Sequence, residues 1–275
     1  MSQRPMKPRR QWSRGQASAR RRPDARGGRD EREDGTAILY GWHPVLEALR
    51  NHKRRARRLL VTENAVQRLS EALGALPVEP TIVRPDEISR LLEPDAVHQG
   101  LYLEADPLPS PTLDTLGPEA LVLALDQITD PHNVGAIVRT AAAFRVDAIL
   151  TTARHSPAAT GVLAKAASGG LEHVPFLIVR NLAEALIELG ESGFQRIGLD
   201  SSGETPLEAV PARRPLVVVL GSEGKGLRQR TRDCCDVIGR LDMPGAIKSL
   251  NVSNAAAIAL FALTRRPPGG DAQRP

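Results

Sequence analysis

Aromatic side chains are nearly absent from this chain: Phe, Trp and Tyr together make up 3% of its 275 residues. A core with so few rings must rest on Leu, Val, Ile and Ala, and a hydrophobic fraction of 41% is enough to fill one. Cysteine is scarcer still. The only two, Cys234 and Cys235, are adjacent, which excludes a disulfide framework and gives no metal-ligand spacing. Both are expected to be reduced thiols, one of them buried, in a cytoplasmic protein. No apolar run approaches the ~18 residues of a membrane span. The N-terminal stretch has no apolar segment of the secretory kind. The six histidines, His98 and His132 among them, show neither ligand spacing nor a Ser or Cys partner, so no metal is expected.

What is abundant is arginine, and it is unevenly placed. Residues 1–35 hold 11 Arg or Lys against 5 Asp or Glu, a surplus of six, so the overall +5 leaves a net of −1 for the rest. This Arg-, Gly- and Pro-rich stretch has few aliphatic residues to offset its ordering entropy and reads as a disordered tail. An Arg-rich arm favours polyanions, RNA foremost. A second basic run, Lys53-Arg54-Arg55-Ala56-Arg57-Arg58, reads as a solvated loop face or a phosphate-contact surface.

Beyond the tail the chain alternates. Pro44 suits the first turn of a helix. Strands are expected at 58–62, 81–83 and 101–103, and helices at 65–73 and 87–92. This small α/β unit spans 36–105, and the prolines at 107, 109, 111 and 118 mark a semi-rigid linker over 106–118. A second series follows over 119–266. Strands are expected at 121–125, 148–150, 175–179, 196–199 and 216–220, and helices at 133–144, 157–167 and 182–189. A further helix is expected over the apolar run from Ala255 to Phe261, and residues 267–275 read as another disordered tail. Uninterrupted apolar strands between helices imply a parallel sheet covered on both faces, with ligands beyond the C-terminal strand ends.

Three segments, the first two at such positions, carry polar residues in unusual density. The first is Asp126-Gln127-Ile128-Thr129-Asp130-Pro131-His132-Asn133 with Arg139 beyond it. Asn133 suits a helix N-cap, whereas Arg139 sits among Ala136-Ile137-Val138 and Ala141-Ala142-Ala143, where a charge needs a reason. The second is Gly221-Ser222-Glu223-Gly224-Lys225-Gly226. It lacks the Lys-Ser/Thr of a phosphate loop and is not the dinucleotide Gly-x-Gly-x-x-Gly turn, so a strand-to-helix turn is the simplest reading. The third is Met243-Pro244-Gly245-Ala246-Ile247-Lys248-Ser249-Leu250-Asn251-Val252-Ser253-Asn254, before the last helix. One polar residue would cap that helix; four suggest a loop that also holds a ligand.

In this order and spacing the three segments resemble the three motifs of the SpoU/TrmH family, the S-adenosylmethionine-dependent RNA ribose 2'-O-methyltransferases. The resemblance covers residues 119–266. More weakly, 36–105 resembles the L30e-like RNA-substrate-binding domain of the RlmB branch, which acts on a guanosine of 23S ribosomal RNA. The resemblance implies a SPOUT-type parallel sheet with a C-terminal trefoil knot, a homodimer, and ribosomal RNA or a ribosome assembly intermediate as partner. It matches Asn133, Arg139, Glu223, Ser249 and Asn251 to catalytic or substrate positions, and Gly221, Leu241 and Leu250 to the cofactor cradle. Leu241 and Leu250 read otherwise as core residues. The family Arg is held to assist loss of the 2'-proton. Guanidinium normally stays protonated, so electrostatic stabilisation of the alkoxide or a phosphate is the more conservative role. Glu223 would orient Arg139 or a neighbouring helix end. Glu172 lies where the family carries an acidic residue near the site, and reads otherwise as a surface charge. Asp242 stands where the family usually has Pro. The alternatives are a transfer RNA target, a Rossmann-type methyltransferase or nucleotide-binding protein, and a noncatalytic RNA-binding ribosome-assembly factor.

Overall fold

The computed structural model describes residues 36–154, 161–247 and 249–264. The expected tails at 1–35 and 267–275 lie outside the described residues, as does the first part of the helix expected from Pro157.

The described residues build two sheets. The first contains β1 (Ala37–Tyr40), β2 (Ala56–Val61), β3 (Pro80–Ile82) and β4 (Leu101–Ala105), with helices α1 (Trp42–Arg50), α2 (Glu63–Leu73) and α3 (Pro85–Ser89) between them. Its order is β1-β4-β2-β3, with β1 and β2 antiparallel to β4 and β3 parallel to β2. Strand β1 is an addition to the expected elements. A run of four apolar residues has too little periodicity to announce a strand, and its burial comes from pairing with β4. Helix α3 starts at Pro85 instead of Glu87, because the Glu87 carboxylate accepts from the Arg84 amide at 3.0 Å and closes the first turn around Pro85.

The second sheet follows the 106–118 link. It comprises β5 (Leu121–Asp126), β6 (Ala148–Thr152), β7 (Phe176–Val179), β8 (Gln195–Leu199), β9 (Thr205–Pro206), β10 (Leu216–Gly221) and β11 (Val237–Arg240). Helices α4 (Pro131–Ala143), α5 (Gly161–Ala167), α6 (Leu182–Glu191), α7 (Gln229–Asp233) and α8 (Val252–Thr264) accompany it. The order is β7-β6-β5-β10-β8-β11-β9, and every pairing is parallel. Leu121, Leu123 and Leu125 join one core cluster with residues of α4 and α8, while Val122 and Ala124 join another with residues of α6. The alternating side chains of one apolar strand thus fill both faces. β9, α7 and β11 were not expected: they are two to five residues long and mostly polar or glycine-interrupted.

From β5 the chain winds out through β6 and β7, then crosses to β8 and returns to place β10 between β5 and β8. The winding direction therefore changes at the β5–β10 pair. Its C-terminal edge is where a parallel sheet opens a crevice, and all three polar motifs lie there.

Candidate active site

Helix α4 begins with a cap one turn earlier than expected. The Asp130 side chain accepts from the His132 amide at 3.0 Å, and Pro131 takes the first helical position. Asn133 is therefore not the cap, and its amide is available to other groups.

The loop after β10 folds back on its own strand. The Gly226 amide donates to the Ser222 carbonyl at 2.9 Å, and a Cβ on Gly221 would lie 2.2 Å from the Gly226 carbonyl carbon. No larger residue fits there. Two carboxylates at the ends of β5 and β8, the strands on either side of β10, hold the loop. Fully buried Asp126 accepts from the Arg228 amide at 3.0 Å and its Nε at 2.7 Å. Asp200 accepts from the Leu227 amide at 3.3 Å. Burial pushes the Asp200 carboxyl up, but the Ser202 hydroxyl and amide, the Leu227 amide and Arg232 hold it below the usual carboxylate range. Neither aspartate is among the residues expected from sequence. The available signal was an acidic residue at the C-terminal end of an apolar strand.

The three motifs meet at Glu223. Its Oε1 accepts from Asn133 Nδ2 at 3.2 Å, Asn251 Nδ2 at 2.8 Å and the Val252 amide at 3.2 Å. Asn251 Nδ2 also donates to Asn133 Oδ1 at 2.8 Å. Asn251 Oδ1 accepts from the Ser253 amide at 2.9 Å and its hydroxyl at 2.6 Å, so Asn251 caps α8 with one end and joins the cluster with the other. Glu223 thus orients a helix end, one of its two expected partners. Arg139 is the other, and it is not bonded to Glu223. Among the described residues the Arg139 side chain has no hydrogen-bond or ion-pair partner; it is exposed on α4 while Ile137 and Val138 are buried. Its apolar sequence neighbours reflect the inward face of an amphipathic helix, not a buried charge.

Beside the cluster lies a cavity of about 260 Å³, lined by Gly221, Leu241, Ser249 and Leu250 together with Asp200 and Met243. Leu241 also packs against the core, so the core reading and the lining reading both hold for it. All the expected cofactor residues and two of the expected catalytic ones, Glu223 and Ser249, reach this cavity; Arg139 does not line it.

Other expectations need correction. Glu172 is not a surface charge: its side chain is 2% exposed and paired with Arg54. Of the basic run only the Arg54 side chain is buried, against Glu172; Arg57 and Arg58 pair with Asp106 and Glu104 but stay exposed, as do Lys53 and Arg55. His98 has a serine partner in space, Ser89 Oγ at 3.1 Å from Nε2, and burial followed by nearby Lys165 lowers its pKa. Both cysteines are free and half-buried, and burial pushes the Cys235 thiol up to about 12. Among the described residues there is no group of His, Cys, Asp and Glu fit to hold a metal ion, and no helix is long and apolar enough to cross a membrane.

Comparison with known proteins adds the following. Residues 120–261 match the model of the SpoU rRNA Methylase family, and residues 38–111 match that of RNA 2'-O ribose methyltransferase substrate binding. A Pseudomonas putida protein described as a 23S rRNA (guanosine-2'-O-)-methyltransferase RlmB is 33% identical over 83% of this chain and 96% of its own length. A Mycobacterium ulcerans protein described as an uncharacterized tRNA/rRNA methyltransferase is 35% identical over 91% of this chain and 82% of its own. The crystal structure of the SpoU methyltransferase AviRb from Streptomyces viridochromogenes, solved with AdoMet, superposes with a TM-score of 0.72. It is 22% identical and covers 84% of this chain and 90% of that one.

Proposed function

The chain belongs to the SpoU rRNA methylase family, and from that membership we propose that it transfers a methyl group from S-adenosylmethionine to the ribose 2'-hydroxyl of a guanosine in 23S ribosomal RNA. The observation that carries the reading is the cluster of Asn133, Glu223 and Asn251, joined to one cavity through Glu223 on its lining. These residues come from three motifs far apart in sequence.

The cavity suits S-adenosylmethionine. The glycine at 221 brings main chain to its wall, and Leu241 and Leu250 offer an apolar lining and peptide groups for an adenosine. The bound cofactor supplies an electrophilic sulfonium methyl. The protein's task is then to align the hydroxyl, exclude water and stabilise the oxygen as its proton leaves. Glu223, held by two amides and the first turn of α8, fixes the relative placement of the three loops. Arg139, exposed and free of protein partners among the described residues, presents a guanidinium to a phosphodiester or an alkoxide while staying protonated. Ser249 on the cavity wall can bond the ribose or the cofactor.

Residues 36–105 serve as the RNA-holding domain and 119–266 as the methyltransferase domain, joined by the 106–118 linker, in a cytoplasmic protein. The family's trefoil knot and homodimer complete the proposal. The exposed Ile258 and Phe261 of α8 support a dimer face near the site.

The test is tritiated methyl transfer to unmodified 23S rRNA by wild-type protein and Arg139→Ala. The expected outcome is label in a 23S guanosine and a fall of roughly 10²-fold or more in the variant, the scale of losing one transition-state donor. Label only in transfer RNA would change the substrate. Full activity in Arg139→Ala would remove the mechanism, and no label in any RNA would leave a binding factor.

A further inference from the structure

The segment Ser168-Gly169-Gly170-Leu171-Glu172 packs against α1 of the first unit and α4 of the second. The Glu172 and Arg54 side chains are 2% and 5% exposed, and Arg54 Nη2 donates to Oε1 at 2.6 Å. Arg54 Nε lies 3.2 Å from both carboxylate oxygens, and Nη1 donates to the Asp106 carbonyl at 2.8 Å. Asn51 Nδ2 donates to Oε2 at 2.8 Å. One buried guanidinium therefore ties together the turn after α1, the residue after β4 and the short helical turn Gly170–Glu172. His173 Nε2, 2.9 Å from Glu47 Oε2, adds an outer contact between the same two parts.

The backbone here is pressed from both sides. Gly169 has φ +89°, and a Cβ on it would lie 2.6 Å from Glu47 Cγ of α1. A Cβ on Gly170 would lie 3.1 Å from the Val138 carbonyl oxygen and 3.3 Å from Arg139 Cα. Two adjacent glycines thus let a single stretch of chain fit between α1 of the first unit and the point on α4 that carries Arg139. A buried, fully hydrogen-bonded ion pair is weak as a source of net stability, and a role in fixing geometry fits it better.

We propose that Arg54 and Glu172 are positioning residues that set the angle between the RNA-holding unit and Arg139. A ribose gripped by the first unit then arrives at the methyl-transfer site in one orientation. The proposal rests on the functional reading above. Without the clamp the linker and the remaining contacts hold the units less uniquely, and a misplacement of about 1 Å is enough to cost roughly 10² in rate.

The test uses the full chain, Glu172→Gln and the charge swap Arg54→Glu with Glu172→Arg. For each, the S-adenosylmethionine Kd, the 23S rRNA Kd, the single-turnover transfer rate and small-angle X-ray scattering are measured. In Glu172→Gln the rate is expected to fall about 10-fold or more while both Kd values stay within about twofold, the signature of lost positioning. The scattering should show a wider distribution of interdomain distances, and the swap should recover part of the rate. Unchanged rate and scattering in Glu172→Gln would overturn the proposal, as would a proportional loss of both affinities and the rate. If the wild type methylates no RNA, the functional reading fails instead. Scattering then decides the clamp: a broadened distribution upholds it and an unchanged one overturns it.

Discussion

One oxygen of Glu223 accepts from three N–H groups that lie 90, 28 and 29 residues away in the chain. Glu223 and Asn251 are exposed, so the hydrogen bonds compete with water and each adds little net stability. Function needs the geometry more than the fold does. Glu223→Ala is therefore expected to lower the transfer rate by roughly 10²-fold while changing unfolding free energy by no more than about 1 kcal/mol. Parallel single-turnover assays and urea melts check this. A large stability loss with proportionate activity loss would make Glu223 only a structural strut. Of this cluster, the residue identities were legible in the sequence through motif resemblance, but the bonding was not. Asn133 looks like a helix cap from its position, and only the Asp130–His132 bond shows that the cap is taken. Arg139 looks buried by its neighbours until the helix phase turns it outward.

The elements that were legible are those long enough to show a period. The strands at Leu121–Asp126 and Leu216–Gly221 and the helices at Pro131–Ala143 and Leu182–Glu191 lie within a few residues of expectation. Those that were not legible, β1, β9, α7 and β11, are held by pairing and packing instead of local preference. Two of them still matter to the site: β11 leads into Leu241, and α7 follows the loop that Asp126 and Asp200 anchor. That loop depends on Gly221. An added Cβ would meet the Gly226 carbonyl carbon, its oxygen and the Leu227 nitrogen at 2.2 to 2.5 Å, all main-chain atoms unable to swing aside. Gly221→Ala is expected to destabilise by about 1–3 kcal/mol and to abolish measurable S-adenosylmethionine binding. Thermal unfolding and calorimetric titration would show it. Wild-type cofactor affinity in this variant would mean that the loop does not form the cavity wall.

At the scale of the whole molecule, charge couples the neighbouring strands β8 and β11 through residues that lie 40 apart in sequence. The Arg196 guanidinium bonds Asp236 at 2.6 Å, and this hydrogen bond, against the opposing effect of burial, holds the Asp236 carboxyl below the usual carboxylate range. A carboxyl whose folded pKa is depressed contributes stability above its unfolded pKa of about 4. That contribution fades as pH falls through the lower folded value. The pair is partly exposed, so the effect is screened by solvent. Asp236→Asn is expected to lower the melting temperature near pH 7 and to reduce its dependence on pH below 4. An acid limb as steep as that of the wild type would assign the pH dependence to other carboxylates, Asp200 first among them.

The two sheets, the clamp between them and the cluster at the strand ends converge on one chemical event at one ribose. The most direct measurement is a map of 2'-O-methyl groups across all RNA of cells lacking this gene, then complemented with wild type or Arg139→Ala. The account predicts that a single methylguanosine disappears from 23S rRNA, returns with the wild-type gene and stays absent with the variant. A methylation pattern unchanged by the deletion, or a site lost from transfer RNA alone, would contradict it.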